Sequence, residues 1–276
     1  MRTGEFQGFN VQLDEYGICV VTFNQPDRMN GSNQAMKRDL TEILLQAQMS
    51  DDVRVVVLTG SGRAFSAGDD MTGATRDHEP TLVPTVPRGH GTPIGTYDAL
   101  RLLSQQVNLA VRNLDKVTIA AINGYAIQTG LSLALACDFR IAAREAKLGS
   151  ATLRFGLLPD EGGHFLLVQT LGLPKALDFM LRKRIVTAEE ALSIGLVHEV
   201  VDGAQLMDAA MEMAREFADG PQVATRLLKR SIYLASEISM EQSFEDIATK
   251  AAISDHHPDA QEGGGAFREK REPKFA

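Results

Sequence analysis

The chain has 276 residues, 44% of them hydrophobic, with a net charge of −8 and a pI near 5.3. That acidic balance argues against a nucleic-acid partner, which favours a basic face, and no apolar run approaches the length of a membrane span. Cys19 and Cys137 each sit in an apolar run without C-x-x-C spacing, so they read as buried reduced thiols with no zinc site. MRTGEFQGFN has no apolar signal core, and the expectation is a cytoplasmic protein.

In chain order, GICVVTF (17–23) is β-rich and nearly all apolar, which predicts a buried strand. NQPDRMNGSN follows as loop, with Ser32 or Asn33 suited to cap a helix whose apolar stripe is Met36, Leu40, Ile43 and Leu44. VRVVVLTG (53–60) predicts a second strand. A polar, Pro/Gly-rich stretch at 72–95, containing His78 and His90, predicts a long loop before a helix at about 97–113. VTIAAING (117–124), a helix at 130–137 and the strand DFRIAA continue an alternation that indicates an α/β fold. From about 195 the pattern turns helical, with helices expected at 203–219, 221–235 and 240–255. In the last of these Phe244, Ile247, Ala248 and Ala251 keep i, i+3, i+4, i+7 spacing. The division expected is therefore 1–195 and 196–276. GGG at 263–265 is too short for a linker.

Two strand-to-loop junctions are rich in glycine. LTGSGRAFSAGDD (58–70) begins like a dinucleotide fingerprint, but its third glycine position is Phe65 and no helical pattern follows, which excludes that reading. INGYAIQTGLSLALACD (122–138) takes a strand through a tight turn into a short apolar helix, whose first N–H groups suit an anion or a developing oxyanion. Further on, LPDEGGHF (158–165) sets Asp160 and Glu161 side by side before a glycine pair. Two roles compete for them: helix start, with Asp160 as N-cap and Glu161 in the first turn, or proton transfer. Adjacent residues there point in different directions, so only one is expected to face a ligand.

QPDRMNGSN, RAFSAGDD, NGYA through ACDFRIAA, FGLLPDEGG, RIVTAEEALSIGLVHEVV and AFREKREPKF, in that order, resemble the crotonase (enoyl-CoA hydratase/isomerase) family over most of the chain. The resemblance implies a crotonase-like ββα spiral over 1–195, with a C-terminal helical trimerisation region. It also implies an acyl-CoA thioester substrate, coenzyme A being part of that substrate and no other cofactor or metal being required. The assembly implied is a homotrimer or hexamer, with no nucleic acid and no membrane as partners. Carried over residue by residue, the oxyanion-hole amides are those of Asp69 and Thr129. Arg28, Ala67, Phe267 and Lys270 match CoA-contacting positions, the last two from a neighbouring subunit's tail.

The sequence departs from the family's pattern in two places. A turn usually made of three glycines reads Gln128, Thr129, Gly130, which predicts strain if Thr129 needs a positive φ. The two hydratase glutamates are replaced by Ser132 and Thr152, and neither hydroxyl serves as a base near neutral pH without an activating partner. Isomerases resembling this chain carry a carboxylate on the LPDEGG turn, as P-D-x-G-G (Asp160) or E-G-G (Glu161). The expected reaction is double-bond isomerisation by a single carboxylate, with Ser132 and Thr152 orienting water or substrate. The rivals are a hydratase with an unusual acid pair and an acyl-CoA-binding protein without catalysis. His164 reads as a helix-surface or packed residue.

Overall fold

A computed structural model describes residues 1–70 and 92–275. The elements run β1 (Gly4–Phe6), β2 (Phe9–Leu13), β3 (Ile18–Phe23), α1 (Gln34–Met49), β4 (Val55–Gly60), β5 (Ala64–Ser66), α2 (Pro93–Ala99), α3 (Gln105–Asn113), β6 (Val117–Ile122), β7 (Tyr125–Ile127), α4 (Thr129–Ala136), β8 (Phe139–Ala143) and β9 (Lys147–Gly149). They continue with α5 (Gly163–Leu171), α6 (Leu173–Leu181), β10 (Ile185–Thr187), α7 (Ala188–Ile194), β11 (Glu199–Val201), α8 (Leu206–Ala218), α9 (Gln222–Ala235), α10 (Met240–Asp255) and α11 (Pro258–Glu269).

The main sheet has the order β1-β2-β3-β4-β6-β8-β11, and a smaller one has the order β10-β9-β7-β5. From β3 to β11 the main sheet is parallel, with the antiparallel β1–β2 hairpin at its edge. Its central strands β4 and β6 are buried almost throughout, because a parallel sheet is covered on both faces. The stripe read from α1 is confirmed: Met36, Leu40, Ile43 and Leu44 are all buried, and Asn33 caps the helix by accepting from Met36 N–H at 2.8 Å.

Three long strands of the main sheet are each followed at once by a short strand of the second: β4 by β5, β6 by β7, β8 by β9. A helix then returns the chain, so the unit ββα repeats as a spiral. The repeat has a functional consequence. It gathers the turns after β5, β7 and β9 on one side, where the second sheet ends.

Strand β11 lies beyond residue 195 and pairs with β8. Leu206, Ala210, Ala214 and Ala218 bury one face of α8, which also packs on the main sheet. The more distal helices are held differently. On α9 only Lys229 and Ser231 are buried, and α10 buries none of its residues. Lys229 Nζ donates to Asp138 Oδ2 at 2.7 Å and to the Lys116 carbonyl at 2.8 Å, while the Tyr233 hydroxyl also bonds Asp138. Asp138 in turn accepts from Thr118 N–H at 2.7 Å. A carboxylate at the C-terminal end of α4 thus anchors the C-terminal helices through a buried polar cluster.

The helix expected at 97–113 starts earlier. Thr92 caps it, Pro93 opens it, and it runs through a π-helical stretch, Leu100–Ser104, into α3. Of the loop expected at 72–95, residues 72–91 with His78 and His90 lie outside the described residues. GGG at 263–265 falls inside α11, which Pro258 starts and a Glu262–Arg271 ion pair braces.

Candidate active site

The turn after β5 is SAGDD, and it is laced to the loop before α1. Ala67 N–H donates to the Met29 carbonyl (2.9 Å), Ser32 N–H to the Gly68 carbonyl (2.9 Å) and Asp70 N–H to the Ser32 carbonyl (2.9 Å). Asn30, fully buried, holds that loop from within. It accepts from Gln25 N–H at 2.8 Å and donates to the carbonyls of Ser61 and Ala64 at 3.0 and 2.6 Å. Asp69 stands between these bonds, on the side facing the turn after β7.

That second turn is built on a close approach. A Cβ on Gly130 would lie 2.1 Å from the Ser66 carbonyl oxygen, so only glycine lets α4 start against β5. The positive φ falls on Gln128 (φ 53°, ψ −114°) and not on Thr129, which opens α4 with an N–H that has no carbonyl partner within its helix. The strain expected at Thr129 is therefore carried one residue earlier. The two turns meet: a Cβ built on Gly68 would sit 3.3 Å from Gln128 Cβ and 3.8 Å from Thr129 N. The side chains join as well, since Thr129 Oγ1 donates to Asp69 Oδ1 at 2.9 Å.

The turn after β9 carries the acids. Neither caps a helix: the N-cap of α5 is Gly162 in the left-handed region, with no side-chain bond, and the helix starts at Gly163. Two amide side chains one turn apart on α3 hold the acid turn instead. Gln105 Nε2 donates to the Asp160 carbonyl (3.0 Å) and Asn108 Nδ2 to the Glu161 carbonyl (2.9 Å). Asp160 is left exposed, whereas Glu161 is buried at 2% exposure.

Inside, the Glu161 carboxylate accepts from Ser132 Oγ at 2.7 Å and from Gln128 Nε2 at 3.1 Å. Gly163 makes room for this, because a Cβ there would lie 2.2 Å from Ser132 Oγ. Burial pushes the Glu161 carboxyl up to about 7; the Ser132 hydrogen bond pulls it down, and the neighbouring Asp160 carboxylate adds to the rise. A carboxyl near neutrality exchanges protons in both directions with little cost at physiological pH.

Of the other residues singled out in the sequence, Ser132 touches Glu161. Thr152 begins a 3-10 turn (Thr152–Phe155) with its hydroxyl buried, and no bond links it to Glu161. Arg28 bonds Asp70 at 3.2 Å with its side chain partly exposed, and Ala67 is half-buried on the neighbouring loop. Phe267, 86% exposed, and Lys270 lie on the outer surface at the end of α11, tied to neither the acid turn nor the SAGDD turn by any bond among the described residues. His164 is exposed, its ring 3.4 Å from the Pro159 carbonyl. Sequence reasoning missed Asn30, Lys37, Gln105 and Asn108, all polar side chains buried or partly buried by contacts distant in sequence.

Comparisons with known proteins identify the family and the fold. Residues 14–276 match the family model described as enoyl-CoA hydratase/isomerase. The 1,2-epoxyphenylacetyl-CoA isomerase of Escherichia coli (strain K12) is 34% identical over 95% of this chain and 95% of its own. The (E)-benzylidenesuccinyl-CoA hydratase of Thauera aromatica is 32% identical over 94% and 95%. Among solved structures, a putative enoyl-CoA hydratase from Streptomyces coelicolor A3(2) superposes with a TM-score of 0.88 at 31% identity, covering 100% of this chain and 96% of that one. The spiral of ββα units is the crotonase fold, and the chain is an enzyme of the enoyl-CoA hydratase/isomerase family.

Proposed function

We propose that the chain moves a double bond along an acyl-CoA thioester, with Glu161 as its one acid–base group. The observation that carries this reading is the buried Glu161 carboxyl held near neutrality, with hydroxyls (Ser132 and Thr152) at the positions where the family resemblance places hydratase glutamates. The thioester oxygen sits between the N–H groups of Asp69 and Thr129, and each donor contributes about 3 kcal/mol to the transition state when charge reaches that oxygen. The Glu161 carboxylate takes a proton from C2 of a 3-enoyl thioester, leaving a dienolate whose charge rests on the oxygen. The Glu161 carboxyl then returns the proton at C4, giving the conjugated 2-enoyl thioester. No atom is gained or lost, and one group serves both steps.

Ser132 and Gln128 orient the carboxylate between the two positions, and Arg28 with Ala67 lies where the CoA moiety would pass. Exposed apolar residues on α9 and α10 (Ile232, Phe244, Ile247 and Ile253) support assembly as a homotrimer or hexamer, which would also give Phe267 and Lys270 a neighbouring site to reach. By name the E. coli relative isomerises an epoxyphenylacetyl-CoA and the T. aromatica relative is a hydratase, so the choice of reaction rests on the site and not on the relatives.

The test is incubation with 3-enoyl-CoA and 2-enoyl-CoA in deuterated water, with mass spectrometry of the products. Migration of the double bond or deuterium uptake, lost in Glu161→Gln and kept in Asp160→Asn, is the expected result. Addition of water across the 2-enoyl substrate would replace this reading with hydration.

A further inference from the structure

Lys37 is a buried cation that the proposed reaction does not use. It lies on α1, 4% exposed, and its Nζ donates to Asp69 Oδ2 at 2.9 Å and to Ser104 Oγ at 2.9 Å. The same ammonium is 2.8 Å from Asp69 Oδ1, which also accepts from Ser32 Oγ (3.0 Å) and Thr129 Oγ1 (2.9 Å). Three side-chain donors, Ser32, Lys37 and Thr129, therefore converge on one carboxylate. It belongs to the residue whose own N–H is read as half of the oxyanion hole, and it is bonded to the residue that supplies the other half.

This arrangement is chemically awkward without the lysine. An oxyanion hole stabilises negative charge, and the Asp69 carboxylate beside it, its side chain 46% exposed, repels that charge. Beside a substrate that excludes water the repulsion opposes catalysis directly. A carboxylate is nevertheless useful here, because it can accept from Thr129, Ser32 and Lys37 together and so tie the two turns into one unit.

Resting on the acyl-CoA reading above, we infer that Lys37 is a positioning residue of the oxyanion hole: it neutralises the Asp69 carboxylate and clamps it, so that the carboxylate can strap the two donor turns without repelling the enolate. The Ser104 hydroxyl belongs to this device. It ends the π-helical stretch between α2 and α3, and its Oγ accepts from Lys37 Nζ at 2.9 Å.

The inference separates from a merely structural role by charge balance. Lys37→Met leaves the Asp69 carboxylate without its ion-pair partner among the described residues, and Asp69→Asn removes that charge while keeping the backbone N–H and an acceptor for Thr129. The measurement is deuterium exchange into acyl-CoA under steady-state conditions, with kcat and KM resolved, for the wild type, both single variants and the double variant. The expected result is a loss of about 100-fold in kcat for Lys37→Met, with KM within about threefold. Asp69→Asn stays within about tenfold of wild type, and the double variant Lys37→Met/Asp69→Asn returns to the level of Asp69→Asn.

If Lys37→Met does not fold, the double variant still decides. It buries no unpaired charge, and activity near that of Asp69→Asn supports the inference. A double variant as inactive as Lys37→Met alone overturns it, as does a Lys37→Met variant that loses binding at unchanged kcat. Wild type that exchanges no deuterium at all, with Glu161→Gln indistinguishable from it, would instead remove the functional reading.

Discussion

The two turns proposed to form the oxyanion hole and the acid turn are made in different ways. In the first, backbone meets backbone: Gly130 lies against the Ser66 carbonyl, and the amides of Ala67 and Asp70 are tied to the preceding loop. In the second, side chains from a distant helix decide the outcome. Gln105 and Asn108 hold the two acid-turn carbonyls, and that hold leaves Asp160 in solvent and Glu161 inside. Donors that must not move are built from peptide groups. A group whose proton affinity must be tuned is built from a side chain whose burial can be adjusted.

The largest test of this contrast is Glu161→Gln, which keeps the shape of the acid turn and removes its chemistry. Deuterium exchange should fall about a thousandfold with KM little changed, and retention of exchange would break the contrast at its acid end. Gly130→Ala attacks the backbone end. Its methyl group would push the Ser66 carbonyl away, separate the two turns and lower kcat about 100-fold. Overpacking against backbone should also lower stability by about 1–3 kcal/mol in thermal unfolding.

Proton linkage gives the third test. The folded Glu161 carboxyl lies at about 7, above its ordinary 4.5, so the native state holds a proton there that the unfolded chain releases over that interval. Its stabilising share is complete below pH 4.5 and is lost as pH rises through about 7. Glu161→Gln has no such loss. It should match the wild type in denaturant unfolding at pH 4 to 5 and exceed it at pH 8 by about 3 kcal/mol. Equal stability at both pH values would mean that the carboxyl is not desolvated.

The remaining effects are smaller. The wild-type kcat/KM should rise with pH through about 7, as the base loses its proton. Ser132→Ala removes the hydrogen bond that favours the carboxylate and should move that limb about one unit towards alkaline pH. An unmoved limb would assign the titration elsewhere. Asp160→Asn, at an exposed carboxylate, should change kcat/KM by less than about threefold.

How far the sequence could be read follows the same division. Strands at 17–23, 53–60 and 117–124 and the helix at 130–137 were legible because burial of a parallel sheet and of a short apolar helix is written in consecutive residues. Strands β5, β7, β9 and β10 have three residues each, too few to show a period. The glycines of SAGDD and QTG marked the two turns that meet. Which of the two acids faces inward was not legible, because the amides that decide it lie 55 and 53 residues earlier. Lys37 flanks the apolar stripe of α1 and reads there as a solvated cation. Its partners, 32 and 67 residues away, bury it. Local sequence records where a residue's neighbours in the chain are satisfied, and these residues are satisfied across the fold.

The two cysteines, finally, make the folded chain its own stability gauge. Cys19 on β3 and Cys137 at the end of α4 are both within 1% of complete burial, and burial pushes each thiol up to about 12. The thiolate is the nucleophile that attacks an alkylating reagent, so neither cysteine reacts until the surrounding structure opens. Iodoacetamide uptake followed by mass spectrometry therefore counts opening events, one probe in the main sheet and one at the end of α4. A variant that has lost only its chemistry is thereby distinguished from one that has lost its fold without any substrate being added.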